Sequence, residues 1–200
     1  MSSIEVRDAG EHGVLFELPD NAAAVRVARE LASQAGLIDV VPGHRTVLVT
    51  WDDEPPELIE LAEAALRDDQ AAAKGSSVEI PVRYDGPDLK EVAASTRLSP
   101  EEVAARHMAA EYAVGFLGFA PGFAYLLGGD ERLQVERRAE PRALVPAGSV
   151  ALAGPYSGIY PRESPGGWQL IGSTSTVLFD ATRDPPALLS PGDRVRFVSA

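Results

Sequence analysis

Two hundred residues, 45% of them hydrophobic, suffice for one large or two small cores, and the absence of cysteine removes disulfides, thiolate metal sites and cysteine nucleophiles. A net charge of −12 argues against a nucleic-acid surface, because phosphate binding draws on a basic face. No apolar run approaches the roughly eighteen residues of a membrane span, and the opening MSSIEVRDAGEHG has neither an apolar signal core nor a basic leader, so the expectation is a cytoplasmic protein without membrane contact.

Residues 3–18 alternate as one strand or a hairpin, with Ile4, Val6, Val14, Phe16 and Leu18 turned inward. Asp20 or Asn21 then caps the run AAAVRVARELASQA, which sets Val25, Ala28, Leu31 and Ala32 on one helical face before Gly36 ends it. Two strands, 37–41 and 46–51, flank the turn PGHR, and a second helix runs from Pro56 to about Ala73 with Leu58, Leu61, Ala62, Ala65 and Leu66 stacked on one side. A strand over 77–83 completes the order β-α-β-β-α-β, which predicts a ferredoxin-like sandwich for residues 1–84. His12 and His44 lie in or beside turns and read as surface histidines.

Gly86-Pro87 interrupts two regular segments and marks the start of a second domain, 85–200. There Asp88 leads a short helix, and Ser99-Pro100-Glu101-Glu102 forms a capping box with proline at the first helical position. Beyond residue 112, short β-rich segments separated by Gly and Pro favour a barrel over a parallel sheet, so the fold class is α+β. Charge differs between the two parts. Residues 1–84 hold 16 acids against 7 bases, a solvated coat or a partner surface, whereas residues 85–200 hold 14 against 11.

Candidate chemistry gathers in the second part. On the capped helix His107 follows Val103 by one turn on the same face, where it can aim an imidazole into a barrel mouth or make a structural hydrogen bond. Its place near the helix C-terminus favours the charged form. In FLGFAPGFAYL, residues 116–126, the bend at Gly118, Pro121 and Gly122 brings Phe119, Phe123 and Tyr125 together as an apolar wall and leaves the Gly122 backbone open to a ligand. Residues 141–172 are dense in glycine and proline, and Tyr160, Glu163, Trp168 and Gln169 within them can converge on one cleft; a tightly turned barrel corner is the plainer alternative. Arg132, Arg137, Arg138, Arg142 and Arg162 lie nearby as anion clamps or as a salt-bridge belt.

Absences narrow the mechanism. The sequence has no G-x-x-x-x-G-K-[ST] phosphate loop, and its two lysines, Lys74 and Lys90, lie outside glycine loops. Gly148-Ser149 lacks a full nucleophile elbow, so Ser149 reads as structural. Three scattered histidines give no metal-ligand spacing.

The ordered phrases GPDL, LSPEEV, FLGFAPGFAYL, VPAGSV, GIYP, ESPGGWQLIG and PGDRVRF, from about Ile80 to Val198, resemble the family of the 5-oxoprolinase B subunit, allophanate hydrolase subunit 1 and the kinase inhibitor KipI. The resemblance implies a cyclophilin-like barrel and a non-autonomous subunit of an ATP-dependent enzyme that opens 5-oxoproline to glutamate. It implies two partners, the paralogous C subunit (allophanate hydrolase subunit 2-like) and the enzyme's A subunit, with ATP and its magnesium shared among them and no biotin on this chain. Under it His107 and Glu163 are the catalytic candidates. Gly122, Tyr125, Arg137, Arg142, Tyr160, Trp168 and Gln169 are the substrate-binding ones, and no metal is bound by side chains of the chain itself. Leu144 stands where the family phrase often carries a further basic residue, which weakens the anion-clamp reading. A urea-carboxylase-like carboxyltransfer component and a histidine-kinase inhibitor are the alternatives.

Overall fold

The computed structural model describes residues 4–53, 57–67 and 75–200, and the chain divides into two compact units, Met1–Lys74 and Gly75–Ala200. In the first, β1 (Glu5–Asp8) and β2 (Gly13–Glu17) form an antiparallel hairpin. Helix α1 (Asn21–Ala32) follows, its start fixed by the Asp20 carboxylate accepting from Ala23 N at 2.8 Å. Strands β3 (Leu37–Pro42) and β4 (Thr46–Trp51) and helix α2 (Leu58–Arg67) complete the unit. The helical stripe Ala23, Ala24, Val27, Ala28 and Leu31 packs with Phe16, Val47 and Val49 of the sheet into one core. The part of the second helix expected beyond Arg67 lies outside the described residues.

The ferredoxin-like expectation is corrected here. The sheet order is β1-β2-β4-β3, so the place beside β2 that a closing strand would take is already filled by β1. Strand β5 (Ser77–Val82) instead pairs in parallel with the last strand, β13 (Arg194–Ser199), in the second unit. The boundary therefore falls at Lys74/Gly75, not at 84/85. Gly86-Pro87 is no linker either, because the Gly86 and Asp88 amides donate to Ile171 O and Leu170 O at 3.2 and 3.0 Å.

The second unit adds helices α3 (Leu89–Thr96) and α4 (Pro100–Ala109) to strands β6 (Glu111–Leu117), β7 (Ala124–Leu127), β8 (Arg142–Val145), β9 (Ser149–Ala153), β10 (Tyr156–Ile159), β11 (Ser164–Gly166) and β12 (Gln169–Ser173). The capping box of α4 forms as read, with Glu102 N donating to Ser99 Oγ at 3.1 Å and Ser99 N to Glu102 Oε2 at 2.7 Å. Seven strands in the order β12-β9-β10-β7-β6-β13-β5 make a curled half-barrel sheet, and β8 pairs with β11 as a separate ribbon. The two edges of the large sheet meet where Arg83 and Ser173 exchange backbone hydrogen bonds at 2.8 and 2.9 Å.

Each face of this sheet carries its own cluster. Alternation along β9 sends Val150 and Leu152 to one side, with Val114, Leu126, Ile171 and Phe197 and the helix residue Val103. Ala151 and Ala153 go to the other, with Phe123, Tyr160, Trp168 and Leu170. Small residues on that second face leave room for large rings. Gly158 serves the same end, since a Cβ there would stand 2.9 Å from Trp168 Cζ3 and 3.1 Å from Phe123 Cζ.

Candidate functional site

On the ring-bearing face Phe123 is the hub, with ring centroids of Phe119, Tyr125, Tyr160 and Trp168 at 5.2 to 5.3 Å in edge-to-face contact. Tyr125 in turn stacks on Phe116 at 4.3 Å and meets Tyr156 at 5.3 Å and Trp168 at 5.5 Å. Phe123, Tyr160 and Trp168 are buried, Phe116, Tyr125 and Tyr156 half-buried, and Phe119 is 60% exposed. The wall anticipated from Phe119, Phe123 and Tyr125 therefore exists, enlarged by rings from distant strands.

Phe119 owes its exposure to the turn between β6 and β7. Ala120 N donates to Gly118 O at 2.7 Å across a φ of +65° at Phe119, a γ-turn in the left-handed region that bulky residues rarely adopt. The expected opening at Gly122 is absent. Its φ is +80°, and the place of its missing Cβ lies 2.7 Å from Phe179 Cβ, so Gly122 is buried against the 178–179 segment.

Charge enters through Arg137, an exposed residue whose guanidinium lies 6.0 Å from the Trp168 ring centroid. Burial raises the pKa of the Tyr160 phenol, against the Trp168 backbone amide and the charges of Arg137 and Arg142, which act to lower it. The phenol accordingly stays protonated across the neutral range. An arginine on an indole beside a buried phenol can hold an anionic group at the edge of an apolar floor. Glu163 is exposed, in the 160–169 loop of the same unit.

Arg142 does not join this set. Its guanidinium donates to Asp88 through Nη1 at 2.9 Å and Nη2 at 2.6 Å, and Asp88 also accepts from Arg138 Nη1 at 3.0 Å and Leu170 N at 2.7 Å. Burial alone would raise the Asp88 pKa, but the Arg142 hydrogen bond, the Leu170 amide and the two arginine charges together hold it below its ordinary value. This buried carboxylate was missed because a residue opening a helix reads as a cap, yet its side chain caps nothing. The signal available was charge: three arginines beside a turn-rich segment require a counter-ion.

His107 is also corrected. It is 0% exposed, with Nδ1 2.8 Å from Tyr84 Oη and Nε2 2.8 Å from Ser157 Oγ, and its ring stacks on Phe197 at 4.3 Å. Burial pushes its pKa down to about 3, so the imidazole is neutral and the expected effect of the helix C-terminus is overridden. Gln169 shares this inner side, since it pairs with Leu152 of the inner cluster and its Nε2 donates to Glu136 O at 3.3 Å. The cleft read from residues 160–169 is thus split by strand alternation: Trp168 faces one side of the sheet and Gln169 the other. Among the described residues no group of His, Asp and Glu side chains gathers that could hold a metal ion.

The model of the carboxyltransferase domain, subdomain C and D, matches residues 4–189. The chain belongs to that family. It is 45% identical over 202 residues to the 5-oxoprolinase B subunit of Escherichia coli O157:H7, covering 94% of this chain and 93% of the relative. It is 41% identical over 200 residues to the corresponding protein of Haemophilus influenzae, covering 94% of each. Among solved structures TTHA0988 is similar at a TM-score of 0.83 and 39% identity over 94% of this chain, which spans 40% of the length of that protein. Among the described residues no helix is long and apolar enough to cross a membrane.

Proposed function

We propose that the chain is the B subunit of an ATP-dependent 5-oxoprolinase, which opens 5-oxo-L-proline to L-glutamate only together with partner proteins. The observation that carries this reading is the 45% identity, over nearly the whole of both chains, with a relative that bears the name of the 5-oxoprolinase B subunit. The chemistry is coherent. An unstrained lactam resists hydrolysis; phosphorylation of its carbonyl oxygen by ATP activates the carbon, water adds there, the ring C–N bond breaks with the nitrogen leaving as the amine, and hydrolysis of the acyl phosphate so formed gives glutamate and phosphate. The nucleotide and its magnesium are shared with the partners, the paralogous C subunit and the A subunit, because this chain has no glycine-rich phosphate cradle of its own.

In this reading Arg137 holds the carboxylate of the substrate at the edge of Trp168, and Phe119, Tyr125 and Tyr160 pack against its ring. Glu163 is the side chain that orients the reacting groups, and His107, enclosed and neutral, fastens the fold. In this reading the curled sheet corresponds to the cyclophilin-like barrel that the resemblance implies. The test is 5-oxoproline-dependent ADP release by this chain alone and with both partners added. Turnover only in the mixture supports the assignment, and full turnover by the chain alone overturns it.

The family description favours a second reading, a component that accepts a carboxyl group from biotin carried on another protein. The fold supports it to the extent that urea carboxylase of Kluyveromyces lactis is similar at a TM-score of 0.67, with 20% identity. Transfer of labelled carboxyl from a biotin carrier to urea, without 5-oxoproline-dependent ADP release, would decide for it.

A further inference from the structure

Arg137 and Arg138 are consecutive, yet one is exposed and lies over the buried Trp168 indole while the other reaches a buried carboxylate. Asp88 is 2% exposed and holds both sides of this junction. Through Leu170 N, at 2.7 Å, it fixes the strand that follows Trp168; through Arg138 Nη1, at 3.0 Å, it fixes the residue that follows Arg137. The backbone closes the arrangement, as Arg138 N donates to Gly167 O at 2.8 Å, directly before Trp168. Arg142 completes it with a two-pronged pair to the same carboxylate. Arg138 is thereby turned inward, and its neighbour is turned outward onto the ring.

From this we infer that Asp88 is a positioning residue that presents Arg137 over Trp168 as the cation for an acidic ligand. The inference rests on the reading of Arg137 as the group that meets the substrate carboxylate. A carboxylate recognised by one arginine needs that arginine held in place, because a free guanidinium loses its rotamer freedom on binding. Asp88 provides the hold without touching the ligand itself.

The test uses the full chain in a Trp51→Phe background, which leaves Trp168 as the only tryptophan. Two readouts are taken: Trp168 emission and acrylamide quenching in the isolated chain, and KM and kcat for 5-oxoproline in the reconstituted complex. Asp88→Asn should reproduce the emission and quenching change of Arg137→Gln and raise KM about tenfold, with kcat within about threefold, as loss of ground-state binding requires. In the double variant Asp88→Asn should add nothing further to the KM of Arg137→Gln, since both remove one interaction. Arg138→Gln cuts the link while leaving the Arg142 pair to Asp88, and should give the same result if Asp88→Asn fails to fold. Additive effects on KM, or wild-type Trp168 emission in folded Asp88→Asn and Arg138→Gln, would overturn the inference. If Arg137→Gln leaves KM unchanged, the functional reading of Arg137 fails, and the emission data alone then decide whether Asp88 places it.

Discussion

The two faces of the half-barrel use similar residues for opposite ends. On the inner face Tyr84, His107 and Ser157 form a hydrogen-bonded chain, with Phe197 stacked on the imidazole and every polar atom of that imidazole occupied. On the other face Tyr125 meets Tyr156 and Trp168 through ring edges, Tyr160 joins them through Phe123, Phe116, Tyr125 and Tyr156 are half-buried, and an arginine lies at the margin. Polar groups that satisfy one another fix a core, whereas rings that cover one another and leave a charge at the edge form a receiving surface. On the proposed reading the first face carries stability and the second meets the ligand.

The strongest challenge to that division is Asp88, which serves both. Asp88→Ala leaves Arg138 and Arg142 without their buried counter-ion and Leu170 N without an acceptor, a loss on the order of 3–5 kcal/mol. Urea titration should show a lower midpoint with an unchanged slope; a shift no larger than that of an exposed ion pair would place the node among surface contacts.

His107→Gln sharpens the inner side of the comparison through pH. The folded imidazole is depressed to about 3, below its ordinary value near 6.5, so between these values the unfolded chain binds a proton that the folded chain refuses. His107 therefore lowers stability as pH falls from about 6.5 towards 3, by at most ~1.4 kcal/mol for each pH unit. Asp88 and other carboxylates add their own acid losses, so the informative quantity is the difference between wild type and variant. We expect the stability advantage of wild type over His107→Gln to shrink steadily from about pH 7 to about pH 4 in chemical unfolding. A constant difference would mean that the imidazole takes up its proton as readily in the folded chain as in the unfolded one.

The same division explains what the sequence could disclose. Local signals were legible: the Ser99 capping box, the Asp20 cap and the inward Val14 and Phe16 of β2 all depend on neighbours a few residues away, whereas β1, expected to turn Val6 inward, is exposed along its length. The γ-turn that exposes Phe119 was visible as a break in an aromatic run. Long-range partners were not. Strand β5 reads as the closing strand of one unit, and only its pairing with β13, far along the chain, transfers it to the other. His107 looked poised for proton transfer because spacing gives a helical face but not what the face is pressed against. The glycine density of residues 141–172 shows the same limit, because it does not say which glycine the fold requires: Gly167 has ordinary space at its Cβ position, 3.6 Å from Pro141, while the place of a Cβ at its neighbour Gly166 is filled by the Tyr160 hydroxyl.

An intermediate effect separates helix stability from both faces. Ser99→Ala removes the acceptor for Glu102 N and should cost about 1 kcal/mol, read as a fall in melting temperature, with Trp168 emission unaltered. A change in that emission would show that the end of α4 is coupled to the aromatic face.

The smallest expected change in stability belongs to Arg137→Gln, and it tests the outer face most directly. Arg137 is exposed and its contact with Trp168 is made at 6.0 Å, so the cation–π contribution is on the order of 0.5–1 kcal/mol. The buried pairs to Asp88 are left intact, since they use Arg138 and Arg142. Folding should therefore survive almost unchanged. Ligand binding should not, because glutamine keeps a polar head but loses the charge and the two-pronged donor geometry that meet a carboxylate. Calorimetric titration of the reconstituted complex with 5-oxoproline should show weaker binding in Arg137→Gln, accompanied by a melting temperature close to wild type. A variant that melts several degrees lower yet binds normally would reverse the assignment, making this arginine part of the scaffold and leaving the aromatic face without its anion contact.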